Sequence, residues 1–139
     1  MNPDCVFCKI LCGQIPAEMV LDTTDVIAFL DIGPIVKGHL LVIPRMHCEH
    51  LCDLPPEVLH RVSDAVQTMV RACRTGLKAD GVNVFQANGA AAGQVVPHVH
   101  FHVIPRFNDD GHRWNWASGK YRDAGEMSQM GERLRAAAR

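Results

Sequence analysis

Five short runs, some alternating between apolar and polar residues and some continuously apolar, predict β-strands. The runs are MVLDT, DVIAFLDI, GHLLVIPR, VNVFQANG and HVHFHVIPR, and each is bounded by Gly, Pro, Asp or Asn. Before them, the segment CVFCKILCGQ predicts a short helical opening. Because residues two apart in a strand share a face, each run can bury one side and expose the other.

One long helix is predicted over LPPEVLHRVSDAVQTMVRACRTG, where the apolar spacing changes to that of a helix face. Pro55 and Pro56 suit its start and Gly76 its end. A second helix is expected from about Gly125 to Ala138. Since most strand connections are short and only one is a long helical crossover, the fold class is α+β. We expect an antiparallel sheet of about five strands with one long helix and a C-terminal helix.

Size and charge narrow the functional classes. The 139 residues are 47% hydrophobic, which fits a single domain over 1–139. A net charge of -1 with scattered Lys and Arg argues against nucleic acid as a partner. No apolar run reaches the roughly 18 residues of a membrane span, and no signal-like segment opens the chain, so we expect a cytoplasmic protein. Its six cysteines are then reduced thiols or metal ligands.

Three histidines stand at alternate positions in PHVHFHVIPR, so His98, His100 and His102 are predicted to share one face of a strand. One interpretation is a catalytic zinc site. Three such side chains span about 13 Å, however, whereas zinc needs nitrogens at about 2.0 to 2.1 Å. The other interpretation is that one imidazole acts as a nucleophile, because much of it is unprotonated at pH 7. The central residue, His100, is then the natural nucleophile.

Two neighbouring segments add weaker signals. In ANGAAAGQVVPH, Gly89 and Gly93 form a Gly-rich turn beside Gln94, and such turns can hold a phosphate with backbone N–H groups. In CVFC, Cys5 and Cys8 form half of a possible zinc site, although C-x-x-C is also a redox motif. The redox interpretation needs a βαβ context that this sequence does not provide.

The combination GQVVPHVHFHVIPR, DIGPIVKGHLLVIPRMH and CVFC resembles the histidine triad (HIT) family of nucleotide hydrolases and transferases, closest to its bacterial Hint-like branch. The matching residues run in order from Cys5 to about Tyr121. The resemblance implies a homodimer whose sheets join. It also implies attack on the α-phosphorus of a nucleoside phosphoramidate or a dinucleoside polyphosphate, through a nucleotidyl-histidine intermediate.

Carried over by position, the resemblance makes His100 the nucleophile, with His102 bonding the phosphate oxygens and His39 supporting the triad. Asp31 would accept the ribose hydroxyls of a purine nucleotide such as an AMP conjugate. The residues that fall in the base pocket are Leu30, Ile32, Phe7 and Ile10.

At two positions near the expected phosphate contacts, this sequence differs from the pattern of the family. Ala87 stands where many members carry Asn or Gln, and Asn88 follows one place later, so that contact is expected to be lost or shifted to Asn88. Val95 stands after Gly93 and Gln94 where Ser or Thr is often found.

The same resemblance implies a structural zinc ion on Cys5, Cys8, His47 and His98. In similar proteins the C-terminal segment helps to shape the substrate site across the dimer. Trp114 and Trp116 would therefore contact substrate or pack at the subunit interface.

The resulting hypothesis is a nucleotide phosphoramidase or nucleotidyl hydrolase with a histidine nucleophile. The alternative is a nucleotide-binding sensor or partner module with vestigial catalysis, and Ala87 and Val95 favour it. Trapping of a nucleotidylated protein would separate the two, because a binding module forms no covalent species.

Overall fold

The computed structural model describes residues 1–113 and 116–138, which form five strands and three α-helices. The strands are β1 (Met19–Asp22), β2 (Val26–Leu30), β3 (Leu40–Pro44), β4 (Gly81–Gln86) and β5 (Phe101–Arg106). The helices are α1 (Val6–Leu11), α2 (Pro56–Gly76) and α3 (Ala124–Ala137). The α+β prediction is confirmed, and short 3-10 turns at Leu51–Asp53 and Ala90–Ala92 add to it.

The strands pair antiparallel in the order β1-β2-β3-β5-β4. Strand β5 lies between β3 and β4, so that His102 pairs with Leu41 on one side and with Phe85 on the other. Directly paired residues point to the same face of a sheet. This register places Leu41, Phe85 and His102 together on one face.

Each face of the sheet is covered by a different helix. Helix α2, the long crossover between β3 and β4, packs Val62, Met69 and Cys73 against one face, where Val42 and Val103 are fully buried. The other face carries α1 and the loop after it. The buried residues there are Cys5, Phe7, Cys8, Ile10, Ile27, Phe29, Leu41 and Ile43. Strands β2 and β3 are apolar throughout, and because successive side chains point to opposite faces, they supply two cores, one on each face.

The predicted start of the last strand needs a correction. The sequence pattern placed His98 and His100 inside a strand, but β5 begins at Phe101. Pro97 lacks an N–H donor, and the chain bends over residues 96–98 before pairing begins. The segment is still held beside the sheet, because the Val99 N–H donates to the Cys48 carbonyl at 2.8 Å.

Gly38 fixes the approach of the chain to β3. Its φ of +96° lies in the left-handed region, and a Cβ placed there would lie 2.6 Å from Cδ1 of Leu77 and 3.1 Å from Cγ of Pro105. Only glycine allows this close packing at the residue before His39.

Helix α3 begins at a reciprocal cap. The Asp123 carboxylate accepts the Glu126 N–H at 2.8 Å, and the Glu126 carboxylate accepts the Arg122 N–H at 2.6 Å. None of its residues is buried, and Met127, Met130 and Leu134 expose a spaced apolar row. In the described part of the chain, we find no helix with the length and apolar character required to cross a membrane.

Candidate functional site

Two cysteines and two histidines converge at the N-terminal end of α1. The His98 Nδ1 atom lies 3.6 Å from Cys5 Sγ, 3.8 Å from Cys8 Sγ and 3.2 Å from His47 Nδ1. Cys8 Sγ lies 3.4 Å from His47 Nδ1. Ligands around one tetrahedral zinc ion would lie about 3.6 Å apart for a sulfur and a nitrogen, and about 3.4 Å apart for two nitrogens. The donor atoms therefore fit a closed Cys₂His₂ zinc site.

The orientation of His98 supports this fit. Its Nε2–H donates to the Pro44 carbonyl at 2.9 Å, since a carbonyl oxygen can only accept. The lone pair of Nδ1 is then directed at the other three donors, as in metal-bound histidines held by a backbone carbonyl. The side chain is fully buried, and burial lowers the pKa of His98 to about 4, so the ring is neutral and able to coordinate a metal.

His100 is turned differently although it is only two residues away. Its Nδ1–H donates to the His98 carbonyl at 2.7 Å, so its Nε2 carries a lone pair. Phe7 holds the ring edge-on with the centroids 5.2 Å apart, and only 5% of His100 is exposed. Burial lowers the pKa of His100, which keeps the ring neutral at pH 7.

A hydrogen-bonded chain fixes the ring of His102. The Ile35 N–H donates to Nδ1 of His39 at 3.3 Å, so the proton of His39 is on Nε2. That Nε2–H lies 2.9 Å from Nδ1 of His102 and donates to it, which leaves the proton of His102 on Nε2. Burial lowers the pKa of His39 and lowers that of His102 to about 4. His100 therefore offers a lone pair and His102 an N–H donor.

Asp31 lies next to this chain of rings. One carboxylate oxygen accepts the Gly33 N–H at 2.8 Å, and the other lies 3.8 Å from Nδ1 of His39. Asp31, His39 and His102 are also close enough for a metal. Both nitrogens of His39 are already used by Ile35 and His102, however, so His39 has no lone pair left for a metal, and Asp31 lies beside the hydrogen-bonded rings without bonding to them.

A cavity of about 710 Å³ opens beside His100 and His102. Its walls are mainly apolar, and its lining includes Asp31, His100 and His102. The apolar lining residues comprise Val6, Phe7, Ile10, Ile15, Pro16, Ala17, Phe29, Leu30, Ile32, Leu41, Val95 and Val96. The volume is in the range of small-molecule sites.

The Gly-rich turn before the triad is closed by its own hydrogen bonds. The Gln94 side chain accepts the Gly89 N–H at 2.7 Å and donates to the Glu49 carbonyl at 2.8 Å. The N–H groups of Gly93 and Gln94 donate to the carbonyls of Ala90 and Gly89, at 3.0 and 3.2 Å. These donors serve the loop itself.

Comparison with known proteins identifies the family. The model of the HIT domain matches residues 12–109. The chain belongs to the HIT family. An uncharacterized HIT-like protein of Methanocaldococcus jannaschii is 46% identical over 107 residues, which cover 77% of this chain and 82% of that protein. A protein of Candida albicans named adenosine 5'-monophosphoramidase HNT1 is 38% identical over 109 residues, which cover 76% of this chain and 72% of that protein.

Solved structures of HIT proteins share the fold. A HIT family member from Bacillus subtilis superposes with a TM-score of 0.88 at 35% identity, covering 96% of each chain. A Zn-bound histidine triad family protein from Mycobacterium smegmatis superposes with a TM-score of 0.74 at 35% identity, covering 94% of this chain and 97% of that one.

The HIT domain brings most of the sequence-predicted site residues together. Phe7, Ile10, Leu30, Asp31 and Ile32 line the same cavity as His100 and His102, and His39 is buried behind His102. The four predicted metal ligands form the separate cluster described above.

Three predicted nucleotide contacts do not lie at the cavity of this HIT domain. The Asn88 side chain accepts the Leu51 N–H at 2.7 Å and bonds to Gln86, away from the cavity. Gly93 and Gln94 lie in the closed turn. Alternation also predicted the three imidazoles toward a groove or solvent; His100 and His102 do line the cavity, whereas His98 is fully buried.

Sequence reasoning missed several contacts that depend on chain pairing. Phe85 stacks on His102 with centroids 4.2 Å apart and planes at 15°, a contact set by the register of β4 on β5. Val95 and Val96 also line the cavity; Val95 was expected near the phosphate, whereas nothing in the local pattern indicated Val96. Trp114 lies outside the described residues, and Trp116 is 80% exposed.

Proposed function

We propose that this HIT protein is a nucleotide phosphoramidase that cleaves purine nucleotide conjugates through a covalent bond to His100. The observation that carries the proposal is the orientation of His100. Its Nδ1–H is held by the His98 carbonyl, so the lone pair of Nε2 is available to a molecule in the cavity. A neutral imidazole with one fixed N–H is an effective nucleophile.

The bonding changes balance in two steps. Nε2 of His100 attacks the α-phosphorus in line, and the bond from phosphorus to the leaving nitrogen breaks. The nitrogen keeps the electron pair, takes a proton from solvent and leaves as an amine. Water then attacks phosphorus, returns the electron pair of the P–N bond to His100 and releases a proton, giving the nucleoside monophosphate.

The surrounding groups would stabilise the charge on phosphorus. His102 presents Nε2–H toward the cavity because its other nitrogen accepts from His39. A donor already oriented before the reaction needs little reorganisation, which is the main electrostatic contribution to such catalysis. Asp31 would accept the ribose hydroxyls, while Phe7, Ile10, Leu30 and Ile32 would hold the base.

We also propose a structural zinc ion on Cys5, Cys8, His47 and His98. When bound, the zinc would tie α1 to the segment that carries His100. A site with four protein ligands has no open position, so its role is stability of the fold. The Zn-bound relative from Mycobacterium smegmatis, at 35% identity, supports this assignment.

A nucleotide-binding module with vestigial catalysis is the second candidate. The observation that favours it is the closed turn, because the N–H groups of Gly93 and Gln94 and the Asn88 side chain are engaged within the chain. Val95 adds no hydroxyl. Such a protein would bind a nucleotide with fewer phosphate donors than catalysis uses.

A trapping experiment tests the enzymatic proposal. The purified protein is mixed in excess with adenosine 5'-phosphoramidate, quenched within milliseconds in alkali, under which phosphohistidine-type bonds survive, and analysed by mass spectrometry. We expect an added AMP group on the peptide containing His100, and none with His100→Ala. The matched control is His60→Ala, since His60 is exposed on α2. Binding of AMP with no covalent adduct and no turnover would favour the binding module.

We further propose a homodimer acting in the cytoplasm. Strands β1 and β4 are the two edges of the sheet, and the apolar row of α3 is uncovered within the described chain. Exposed sheet edges and apolar rows are commonly covered by a second copy. Sedimentation equilibrium should give twice the chain mass, and a monomer at micromolar concentration would contradict the proposal.

A further inference from the structure

A second cavity of about 220 Å³ lies on the same sheet face as the first. Phe85 and Asn83 of β4 pair with His102 and Ile104 of β5, so these side chains project to the same side. Phe85 lines the second cavity and stacks on His102, which lines the first. The stacked pair is therefore the wall between the two cavities.

On one side of the second cavity, Arg106, Asp110 and Asn83 form a hydrogen-bonded group, called the clamp below. The Arg106 guanidinium donates to both carboxylate oxygens of Asp110, at 2.7 and 3.1 Å, and to the Asn83 side chain at 2.7 Å. The Asp110 carboxylate also accepts the N–H of His112 at 2.9 Å. The pairing lowers the pKa of Asp110, so the clamp stays charged but has no net charge. It fixes the chain that leads to Arg113.

Arg113 is the unneutralised charge of this cavity. It lines the cavity together with Ile35, Phe85 and Trp116. Within residues 1–113 and 116–138, none of the ion pairs involves Arg113, whereas Arg106 is paired with Asp110. A guanidinium beside apolar and aromatic walls favours a ligand that combines an anionic group with a short carbon chain.

The position of the second cavity relative to His100 and His102 indicates which part of a substrate would reach it. If a nucleoside fills the large cavity, its phosphorus lies at Nε2 of His100 and near His102. In-line displacement puts the leaving group on the side of phosphorus opposite the nucleophile. The second cavity is lined by Phe85, whose ring stacks on His102, so it lies on the side of His102 that Phe85 covers.

We propose that the second cavity is a leaving-group subsite in which Arg113 binds an anionic group carried by the leaving amine, as a carboxylate or a phosphate. This inference rests on the function proposed above. It adds that the protein prefers conjugates of acidic amines over conjugates of neutral amines. A second nucleoside is disfavoured there, because the cavity has less than a third of the volume of the first.

The test compares three AMP phosphoramidates that share a short chain, made from propylamine, 3-aminopropanoic acid and 2-aminoethyl phosphate. We expect kcat/KM for at least one acidic conjugate to exceed that of the propylamine conjugate about fivefold, as for a partly exposed charge pair. The acidic conjugate with the larger ratio of kcat/KM to that of the propylamine conjugate shows whether the subsite prefers a carboxylate or a phosphate. The ratio should fall in 0.5 M NaCl, because salt screens the pair.

Substitutions at Arg113 make the test specific. Arg113→Gln should bring the ratio close to one, Arg113→Glu should bring it below one, and Arg113→Lys should keep most of it. The matched control is Arg74→Gln on α2, at the opposite face of the sheet, which should keep the wild-type ratio. A wild-type ratio of one, or a ratio unchanged in Arg113→Gln, would overturn the inference.

Equilibrium binding separates this inference from the proposed function. The same three conjugates are titrated into His100→Ala protein, and the ratio of their dissociation constants is measured by calorimetry. If wild-type protein releases AMP from none of them, the phosphoramidase proposal fails. The binding ratio, and its loss on Arg113→Gln in the same background, still decides whether the subsite exists.

Discussion

Two groups of imidazoles meet at the segment 98–102, and they are prepared for different chemistry. In the cluster of Cys5, Cys8, His47 and His98, the His98 ring gives its Nε2–H to Pro44 and turns Nδ1 toward the other three side chains. In the triad cluster, His100 gives its Nδ1–H to the His98 carbonyl and keeps Nε2 free. A single backbone carbonyl on one nitrogen or the other decides which nitrogen has the lone pair.

The difference teaches that residue type and spacing do not define a site in this protein. Both rings are buried and have lowered pKa values, and they are two residues apart. The two rings differ in their neighbouring groups. Thiols and a second imidazole surround His98, whereas His100 faces a cavity of about 710 Å³.

The largest effects are expected when each of these two rings is removed in turn. His100→Ala is expected to lower kcat about a thousandfold or more, as for loss of a covalent nucleophile, with the melting temperature and zinc content nearly unchanged. His98→Ala should instead lower zinc content and melting temperature. Turnover, atomic absorption and calorimetry on both variants check the comparison. Equal loss of turnover and of zinc in both variants would show that the two clusters form one site.

Removal of the metal is the next largest test. Chelation, or Cys8→Ser, should lower the melting temperature by about 10 °C or more, because a structural zinc site contributes several kcal/mol. Cys12→Ser is the matched control, since Cys12 is an exposed thiol at the end of the same helix. A folded, zinc-free protein with an unchanged melting temperature but no turnover would assign the metal to catalysis instead.

A smaller effect on kcat is expected from substitution of His39, which lies behind His102. His39→Phe removes the donor that fixes His102, so we expect kcat to fall about 10- to 100-fold while KM changes little. His39→Asn retains an N–H donor and should recover part of the loss. An unchanged kcat in His39→Phe would show that His102 is oriented without this chain of hydrogen bonds.

The smallest effect concerns the base end of the large cavity. Ile32 lines the cavity and is otherwise fully exposed, so Ile32→Ala should weaken AMP binding about threefold, corresponding to burial of a few tens of square ångströms. Its melting temperature should stay the same because the Ile32 side chain is fully exposed in the described structure. Calorimetric titration measures the affinity, and Ile35→Ala is a control outside this cavity.

Sequence periodicity predicted the elements of the fold better than it predicted their ends. The apolar spacing from Val58 to Cys73 is that of a helix face, and α2 buries that face. The alternation through His98 and His100 is that of a strand, yet β5 begins only at Phe101, because pairing also needs a partner strand and free N–H groups. Local patterns do not contain that information.

For the candidate site, the sequence and the resemblance indicated most of the residues at the cavity and at the metal cluster. They also predicted Asn88, Gly93 and Gln94 at the phosphate, which stays a prediction; in the structure the Gln94 side chain bonds to Gly89 and Glu49, and that of Asn88 to Leu51. A Gly-rich turn can direct its N–H groups inward or outward. Which of these occurs depends on contacts between residues distant in sequence.

The sequence alone determined the α+β class, the apolar faces and the set of histidines and cysteines, because each of these follows from residue type and local spacing. Tertiary structure decided which nitrogen of each imidazole has the proton, which side of Phe85 each cavity occupies and which of the two arginines at the second cavity is ion-paired among the described residues. These properties depend on hydrogen bonds and packing between segments tens of residues apart, such as β3 with β5 and β4 with β5. Only the folded chain brings those segments together.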